Sequence, residues 1–317
     1  MSVFVKVLKT SALILCMFSL IIIVFYIYNL FALKQEKGEI VPNGQMVDVG
    51  GYKLHVYSQG NNDNSPTLVF LSGSGTTAPV YDFKSLYSLL SDEYKIAVVE
   101  KPGYGYSEQT DKSRDLDTMV NEVRKALIGA NISAPYILVP HSMSGLEAIY
   151  WAQNYPKEVA GIVGIDMAVY NSYGSFDFSK VKDMSFWGTL GKNVGIFRIP
   201  GIVKLNTENL SDTEIKQQKL LMHKNFVNEV YINEASSVNA NCESVKSNKI
   251  KCPIIMFSSL GKDIGDYWPI TQEQFAKENN AELIVYDCGH YIHHYKSKEM
   301  KEKIVEFIKK IQNIKDN

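Results

Sequence analysis

The sequence contains very little arginine and almost no net charge. Of the 33 lysine and arginine residues only three are arginines, at Arg114, Arg124 and Arg198. The formal net charge of the 317-residue chain is −1. A neutral chain has no long-range field to attract nucleic acid, and scarce guanidinium groups disfavour bidentate phosphate recognition as the main task of a site. We therefore expect no nucleic-acid partner.

Cysteine is also scarce, and the four residues do not have the spacing of a metal site. Cys16 lies in an apolar run, and Cys242, Cys252 and Cys288 are scattered along the chain. We expect them to be small buried side chains. A disulfide between Cys242 and Cys252 is the alternative if this part of the chain lies outside the cytosol.

Internal repeats and low-complexity tracts are absent from the sequence as well. The hydrophobic content of 45% and the charged content of 21% are ordinary for a folded protein and exclude a disordered chain. The length is enough for one large domain or two small ones, with a core of useful size.

One long apolar run stands near the N-terminus, at residues 12–33, and it carries no charge. As a helix it would extend roughly 33 Å, enough to cross the hydrocarbon core of a bilayer. Lys6 and Lys9 precede it, and no small-residue cleavage site follows it. We expect an uncleaved signal anchor in the cell membrane, with residues 1–11 cytoplasmic and the bulk of the chain extracytoplasmic. A cleaved signal peptide and a buried core helix are the alternatives.

Beyond a polar connector at residues 34–44, the pattern is that of a mixed α/β domain. Two short alternating runs, Met46–Val49 and Lys53–Tyr57, flank Gly50-Gly51 and predict a β-hairpin. Short apolar strands then alternate with helices, which indicates a mainly parallel sheet covered on both faces. The predicted strands are 67–71, 96–99, 136–139, 159–165, 253–257 and 282–286, and the predicted helices are 82–90, 116–128, 143–154, 272–279 and 297–311.

The alternation is interrupted at about residues 170–248. This stretch is rich in Tyr, Phe, Asn and Ser, has a helical pattern over residues 212–228, and is too long for an ordinary loop. We predict a helical cap inserted into a domain that spans residues 45–313. Its aromatic residues would either line an apolar pocket or form the cap's own core, and they are Tyr170, Tyr173, Phe176, Phe178, Phe186, Trp187 and Phe197.

The most informative run is YILVPHSMSGLEAIYWA, in which an apolar strand passes through Ser142 directly into an amphipathic helix. A side chain on such a turn projects above the carboxyl edge of the sheet, and the main-chain N–H groups of the helix start point at developing negative charge. Ser142 is therefore the candidate nucleophile. His141, beside it, is expected to pack or to line a pocket.

This run resembles the nucleophile turn G-x-S-x-G of the α/β-hydrolase superfamily, with Pro140 and Ser144 in the places of the two glycines and Gly145 next. Residues 100–107 (EKPGYGYS) are similar to the family's D-x-P-G-x-G-x-S turn, which is a structural signature. The resemblance implies an α/β-hydrolase fold that needs no cofactor and no metal.

Residues 70–75 (FLSGSG) stand where the family has its oxyanion loop, with Ser72 in the place of a histidine. The resemblance implies an oxyanion hole made by the main-chain N–H groups of Ser74 and Met143. Each such donor is typically worth ~3 kcal/mol of transition-state stabilisation.

The family order of nucleophile, acid and histidine places the general base late in the chain. His290 follows a glycine bend after the last predicted strand and is implied as the base, whereas His293 and His294 fall beyond that bend. Neutral His290 would accept the proton of Ser142, and a carboxylate would orient the imidazole.

Three aspartates compete for the role of this acid. Asp263 ends a small-residue loop after strand 253–257 and is the expected acid. Asp266, three residues on, and Asp166, at the end of strand 159–165, are the alternatives.

These features together predict a membrane-anchored serine hydrolase that acts on carboxylic esters with an apolar or lipid-like acyl group. An amidase or iminopeptidase is the alternative among enzymes, and a non-catalytic binding protein is the alternative outside them. A metalloenzyme using His290, His293 and His294 is a third hypothesis, for which no carboxylate or cysteine is suitably spaced in the sequence.

Overall fold

The computed structural model describes residues 2–60, 65–174, 179–246 and 249–316, and its centre is an eight-stranded sheet. The strands are β1 (Gln45–Asp48), β2 (Lys53–Gln59), β3 (Thr67–Leu71), β4 (Ile96–Glu100), β5 (Tyr136–Pro140), β6 (Val159–Ile165), β7 (Ile254–Ser259) and β8 (Glu282–Tyr286). Their order across the sheet is β1-β2-β4-β3-β5-β6-β7-β8.

The first two pairs in this order are antiparallel, and the other five pairs are parallel. β1 pairs with β2, and β2 with β4, in antiparallel register, which confirms the predicted hairpin at the start of the domain. β3, β5, β6, β7 and β8 continue as parallel neighbours. The carboxyl ends of β5 and β6 therefore meet at the same edge, where ligands bind in open α/β sheets.

Helices cover both faces of the sheet, and other helices precede the first strand or lie between β6 and β7. In chain order the helices are α1 (Ser2–Lys37), α2 (Pro79–Asp82), α3 (Lys84–Leu90), α4 (Leu116–Gly129), α5 (Gly145–Asn154), α6 (Ser179–Asn193), α7 (Asp212–Asn225), α8 (Glu229–Ser244), α9 (Tyr267–Asn279), α10 (Ile292–Tyr295) and α11 (Ser297–Asp316). One core lies under α4, α5 and α9 and contains Trp151 and Trp268, and the other lies under α3 and α11 and contains Phe70 and Ile304. The predicted α/β architecture is confirmed.

The region between β6 and β7 contains more helix than its sequence pattern predicts. Helix α7 covers most of the predicted helix 212–228, but α6 and α8 were not expected. In α8 the polar residues Glu234 and Asn241 are buried, so its inward face does not show the apolar periodicity on which such predictions depend. We call α6, α7 and α8, with the segments that join them, the cap helices.

Smaller differences concern helix ends. The predicted helix 82–90 is divided into α2 and α3 around Phe83, and α9 begins at Tyr267, five residues before its predicted start at Gln272. A proline, Pro269, stands in the first turn of α9, where proline is tolerated.

Helix α1 is long and apolar enough to cross a membrane, judged by length and composition alone. None of its apolar window is buried in the rest of the protein, which contradicts the alternative of a core helix. Only its last turns meet the cap helices, where Asn29 is buried and donates to the main-chain oxygens of Lys192 and Asn193.

All four cysteines are free, so the alternative disulfide between Cys242 and Cys252 is not formed. Burial raises the pKa of both thiols to about 12, and they therefore remain protonated at neutral pH. Cys242 lies in a core, as expected of a small buried side chain, whereas Cys252 and Cys288 are only half-buried and Cys16 is exposed.

Candidate active site

Ser142 lies on a sharp turn between β5 and α5. The chain leaves β5 at Pro140, makes a short 3₁₀ turn over Ser142–Ser144 and enters α5 at Gly145. Ser142 has φ +54°, a left-handed conformation that costs a non-glycine residue about 1–3 kcal/mol and is concentrated at functional sites. Its carbonyl oxygen accepts a hydrogen bond from Ala168 N at 2.7 Å, which ties the turn to the chain after β6.

The two residues that replace glycine in this turn are both accommodated. Pro140 is the last residue of β5, and the next residue, His141, donates its main-chain N–H to Leu71 O at 2.9 Å, so the ladder continues past the proline. The Ser144 hydroxyl is buried, donates to Leu71 O at 2.7 Å and accepts from His141 N at 3.1 Å. Ser144 therefore fastens the turn to β3, a role that glycine cannot fill.

The loop after β3 passes directly beside Ser142. A Cβ atom added to Gly73 would lie 2.6 Å from the Cβ of Ser142, so only glycine allows this approach. The next residue is Ser74, and Met143 lies in the first turn of the 3₁₀ helix, where main-chain N–H groups lack intrahelical partners. The two predicted oxyanion donors thus belong to segments that flank the serine.

The imidazole of His290 is held by Asp166. Nδ1 of His290 lies 2.7 Å from Oδ2 of Asp166, a carboxylate that is completely buried at the end of β6. Asp166 also accepts from the main-chain N–H and the hydroxyl of Ser259 and from the indole N–H of Trp268, at 2.8, 2.7 and 2.9 Å. These donors satisfy the charge and fix the carboxylate, and a proton on Nδ1 leaves Nε2 of His290 free to act as a base.

The carboxylate on the His290 ring is not that of the expected acid. Among the described residues, the carboxylate on the His290 ring belongs to Asp166, which was an alternative, and not to Asp263. Asp263 is exposed and accepts the main-chain N–H of His290 at 3.0 Å, so it holds the loop rather than the ring. Asp266 is exposed at the start of α9.

The order of the strands explains why Asp166 lies near the turn at Ser142. Because β6 lies beside β5, the residue that ends β6 is brought to the carboxyl edge next to the nucleophile turn, where His141 and Ile165 bridge the two strands. Asp166 has φ +42° and donates its own N–H to Phe257 O, which turns the chain at this point. A signal was present in the sequence, since Asp166 is the first charged residue after a fully apolar strand.

His141 packs between the nucleophile turn and the His290 loop, as expected of a packing residue. Its ring centroid lies 4.7 Å from that of His290 and 4.8 Å from that of Tyr291, and its Nε2 lies 3.3 Å from His290 O. Burial, and then the neighbouring His290 and His293, hold the pKa of His141 well below its usual range. His141 is therefore neutral at physiological pH.

A second buried polar cluster connects the sheet to the cap helices and was not found from the sequence. Lys101 donates to Glu147 of α5 at 2.8 Å and to Glu234 of α8 at 2.5 Å, and the Tyr104 hydroxyl donates to Glu234 at 2.6 Å. Burial disfavours the charged amine, but the two carboxylates outweigh it and raise the pKa of Lys101. The EKPGYGYS segment is thus the attachment point of α8, which fits its structural character.

Three side chains of the described chain come close enough to hold a metal ion: Asp82, His293 and His294, whose ligand atoms all lie within 4.8 Å of one another. The carboxylate comes from α2, so its contribution was invisible in the spacing of the histidines. Asp82 already pairs with Nε2 of His293 at 2.9 Å and with Nε2 of His294 at 3.1 Å. His290 belongs to Asp166, so the hypothesis of a metal site that includes His290 is corrected.

A cleft of about 510 Å³ opens beside the loop after β3, within the usual size of small-molecule sites. It lies between this loop, α7 and the His290 loop, and its lining includes Gly75, Thr76, Met222, Phe226, Tyr291 and Tyr295.

The aromatic residues of the cap region divide into two groups. Tyr170 packs on Phe275, Tyr173 on Trp268 and Phe197 on Phe226, with ring centroids 5.5, 6.4 and 4.1 Å apart. Tyr170 and Tyr173 therefore pack against α9 of the main domain, and Phe197 packs within the cap region. Phe186 and Trp187 are exposed, whereas Phe176 and Phe178 lie outside the described residues.

Comparison with known proteins gives the family. A family profile described as alpha/beta hydrolase fold matches residues 66–193. Uncharacterized protein YbdG of Bacillus subtilis (strain 168) is 34% identical over 312 residues, which cover 90% of this chain and 92% of that protein. The pimeloyl-[acyl-carrier protein] methyl ester esterase of Shewanella woodyi is 32% identical over 114 residues, 35% of this chain and 39% of that protein.

A solved structure adds a likeness of fold. The enol-lactonase from Burkholderia xenovorans LB400 matches with a TM-score of 0.60 and 17% identity, over 84% of this chain and 100% of that chain. With the sheet order, the strand-to-helix turn and these relatives in agreement, the chain belongs to the α/β-hydrolase superfamily and is a hydrolase of that family.

Proposed function

We propose that the protein is a membrane-anchored serine hydrolase that cleaves carboxylic esters with an apolar or lipid-like acyl group. The catalytic residues are Ser142, His290 and Asp166, and the main-chain N–H groups of Ser74 and Met143 form the oxyanion hole. The observation that carries the proposal is that the His290 ring lies on the buried carboxylate of Asp166, while His141 connects the His290 loop to the turn on which Ser142 is left-handed.

The chemistry follows from these positions. Nε2 of His290 accepts the hydroxyl proton of Ser142 as the serine oxygen attacks the ester carbonyl carbon. The carbonyl oxygen becomes an oxyanion, which the two main-chain N–H groups stabilise. The intermediate then collapses, the bond to the alcohol oxygen breaks, and His290 gives the alcohol its proton.

Water completes the cycle. It attacks the acyl group on Ser142 while His290 takes its proton; as the intermediate collapses, the bond to the serine oxygen breaks, His290 returns that proton to the serine oxygen, and the acid is released. Asp166 stabilises the imidazolium that forms in each half-reaction.

A fluorophosphonate probe on the full-length protein in detergent tests the nucleophile. We expect labelling of the wild type and none of Ser142→Ala. Ser236→Ala, at an exposed position on α8, is the matched control and should still label. Folded wild type that does not label would contradict the proposal and favour a non-catalytic binding protein.

The ester preference draws on the cleft beside the loop after β3, on a relative named as an esterase and on a structural neighbour named as a lactonase. We expect p-nitrophenyl esters to be cleaved with kcat/KM rising as the acyl chain lengthens. Aminoacyl p-nitroanilides serve as the comparison. Turnover of the anilides alone would replace the esterase with an amidase or iminopeptidase.

The anchor is supported by the contacts of its outer end. Asn29, Glu36 and Val41 all bond to the cap helices or to the turn between them, which gives this segment a place in the folded protein. We propose that residues 12–33 span the cell membrane, with residues 1–11 cytoplasmic, residues 34–44 a connector, and the hydrolase domain of residues 45–313 with its cap at about 170–248 extracytoplasmic.

Alkaline extraction of membranes and mass measurement of the mature chain test this arrangement. We expect the protein to stay in the membrane pellet at its full mass. A soluble product that starts after residue 33 would show a cleaved signal peptide instead.

A further inference from the structure

The segment from α6 to Ile202 exposes an unusual set of large apolar side chains. We call this set the apolar cap face, and it consists of Phe186, Trp187, Leu190, Ile196, Ile199 and Ile202, which are 63, 66, 45, 43, 49 and 53% exposed. Single exposed apolar residues are ordinary, but a run of six large ones along 17 residues of chain marks an interaction surface.

The position of this face relative to α1 identifies its partner. Asn29 of α1 is 3% exposed and donates to Lys192 O and Asn193 O, and its own oxygen accepts from Nε of Arg198 at 2.6 Å. The chain between Leu190 and Ile196 is therefore fixed against α1 at the level of Asn29. That level is four residues, or about 6 Å, before the end of the apolar run at Leu33.

Arg198 also fixes the position of the apolar cap face along α1. Its guanidinium makes a paired contact with Glu36, at 2.5 and 2.9 Å, while it holds Asn29. Since Glu36 lies past the end of the apolar run, Arg198 marks the boundary between the apolar and the polar part of α1. The cap face thus lies where α1 passes from the hydrocarbon to the aqueous side.

We propose that the apolar cap face docks into the interfacial layer of the same membrane that α1 spans, with its side chains among the lipid headgroups and upper acyl chains. This inference rests on the anchor of the proposed function. Exposed Trp and Phe are the side chains enriched at this depth, and α1 carries its own exposed aromatics there, at Phe25, Tyr26, Tyr28 and Phe31.

The three tryptophans of the chain make this testable in the full-length protein. Trp151 and Trp268 are buried, at 0 and 1% exposure, whereas Trp187 is exposed. In lipid nanodiscs made with phosphatidylcholine brominated on its acyl chains, we expect at least half of the Trp187 emission to be quenched, relative to unbrominated lipid. Trp187→Phe gives the background from the other two, and iodide in the buffer should not quench the Trp187 component.

Ile128→Trp in the Trp187→Phe background is the matched control. Ile128 is 68% exposed and lies in the last turn of α4, which precedes β5 and so stands at the opposite edge of the sheet from the cap helices. Its emission should be quenched by iodide and not by brominated lipid. Equal lipid quenching at both positions would overturn a specific docking face.

Two other results would overturn the proposal. If iodide but not brominated lipid quenches the Trp187 emission, the apolar cap face lies in water. If neither quenches it, protein such as a second copy of the chain covers the face. Protein that fails to enter nanodiscs would contradict the proposed membrane anchor. Absence of fluorophosphonate labelling would contradict only the proposed serine hydrolase, so the two failures can be distinguished.

Discussion

Nδ1 of His290 lies 2.7 Å from Oδ2 of Asp166, and Asp263 meets the same histidine only at its main-chain nitrogen. Two aspartates therefore hold His290 in two different ways. The buried one orients the ring, and the exposed one holds the loop.

Asp166→Asn and Asp263→Asn separate these two roles. We expect Asp166→Asn to lower kcat/KM for an ester by about 10³–10⁴-fold, because the amide no longer stabilises the imidazolium and favours the wrong tautomer. Asp263→Asn keeps a carbonyl oxygen that can accept from the main chain and should cost less than about tenfold. Steady-state kinetics checks both, and a larger loss in Asp263→Asn would make Asp263 the acid after all.

Gly73→Ala tests the close approach of the loop after β3 to Ser142. The added methyl would lie 2.6 Å from the Cβ of Ser142, so the loop that carries Ser74 has to move, at a cost of about 1–3 kcal/mol in stability and with loss of activity. Gly174→Ala is the control, since its nearest neighbour would be 3.9 Å away. Urea unfolding and ester kinetics measure the two effects, and full activity in Gly73→Ala would contradict this placement.

Lys101→Met tests the buried charge cluster between the sheet and α8. Removal of the amine leaves Glu147 and Glu234 buried without their counter-charge, so we expect a loss of about 3–5 kcal/mol in the free energy of unfolding. The matched control is Lys262→Met, whose ion pair with Asp287 is exposed and worth about 0–1 kcal/mol. Comparable losses of unfolding free energy in both variants would contradict the claim that the Lys101 ion pairs matter because they are buried.

The pH dependence of stability follows from His141. Because burial keeps its folded pKa well below 6.5, the unfolded chain binds a proton that the folded chain does not as the pH falls below about 6.5. Stability should therefore decrease toward acid, by up to about 1.4 kcal/mol per pH unit from this group.

His141→Asn removes this titration and should reduce the slope between pH 6.5 and 5, and the buried His293, whose pKa is also lowered, contributes to the slope that remains. Unfolding free energies from urea titrations at several pH values measure the slope. An unchanged slope in His141→Asn would show that His141 is already charged in the folded state.

The fold and part of the site could be predicted from the sequence because strong local patterns encode them. β3, β4 and β5 are buried along their whole length, so their apolar runs were unambiguous. The turn at Ser142 joins such a strand to a helix, and a glycine precedes His290 at the predicted bend after the last strand. The structure places both residues at the same edge of the sheet.

The acid could not be chosen in this way, because the choice depends on which strand lies beside which. Asp166 and Asp263 both follow apolar strands, and nothing local reveals that one turns inward at φ +42° and the other remains exposed. The clusters around Asp82 and Lys101 join residues far apart in the chain. Helix α8 escaped prediction for a related reason, since its buried Glu234 is satisfied by Lys101 and Tyr104 from elsewhere.

The clamp formed by Arg198 with Asn29 and Glu36 has a consequence for the height of Ser142 above a membrane. A hydrolase on a flexible stalk samples a range of distances from the bilayer, but here the cap is fixed to α1. With α1 in a membrane, Ser142 stands at one set elevation above the lipid. Substrates would then be selected by how far their scissile bond can rise out of the bilayer, as well as by the shape of the cleft.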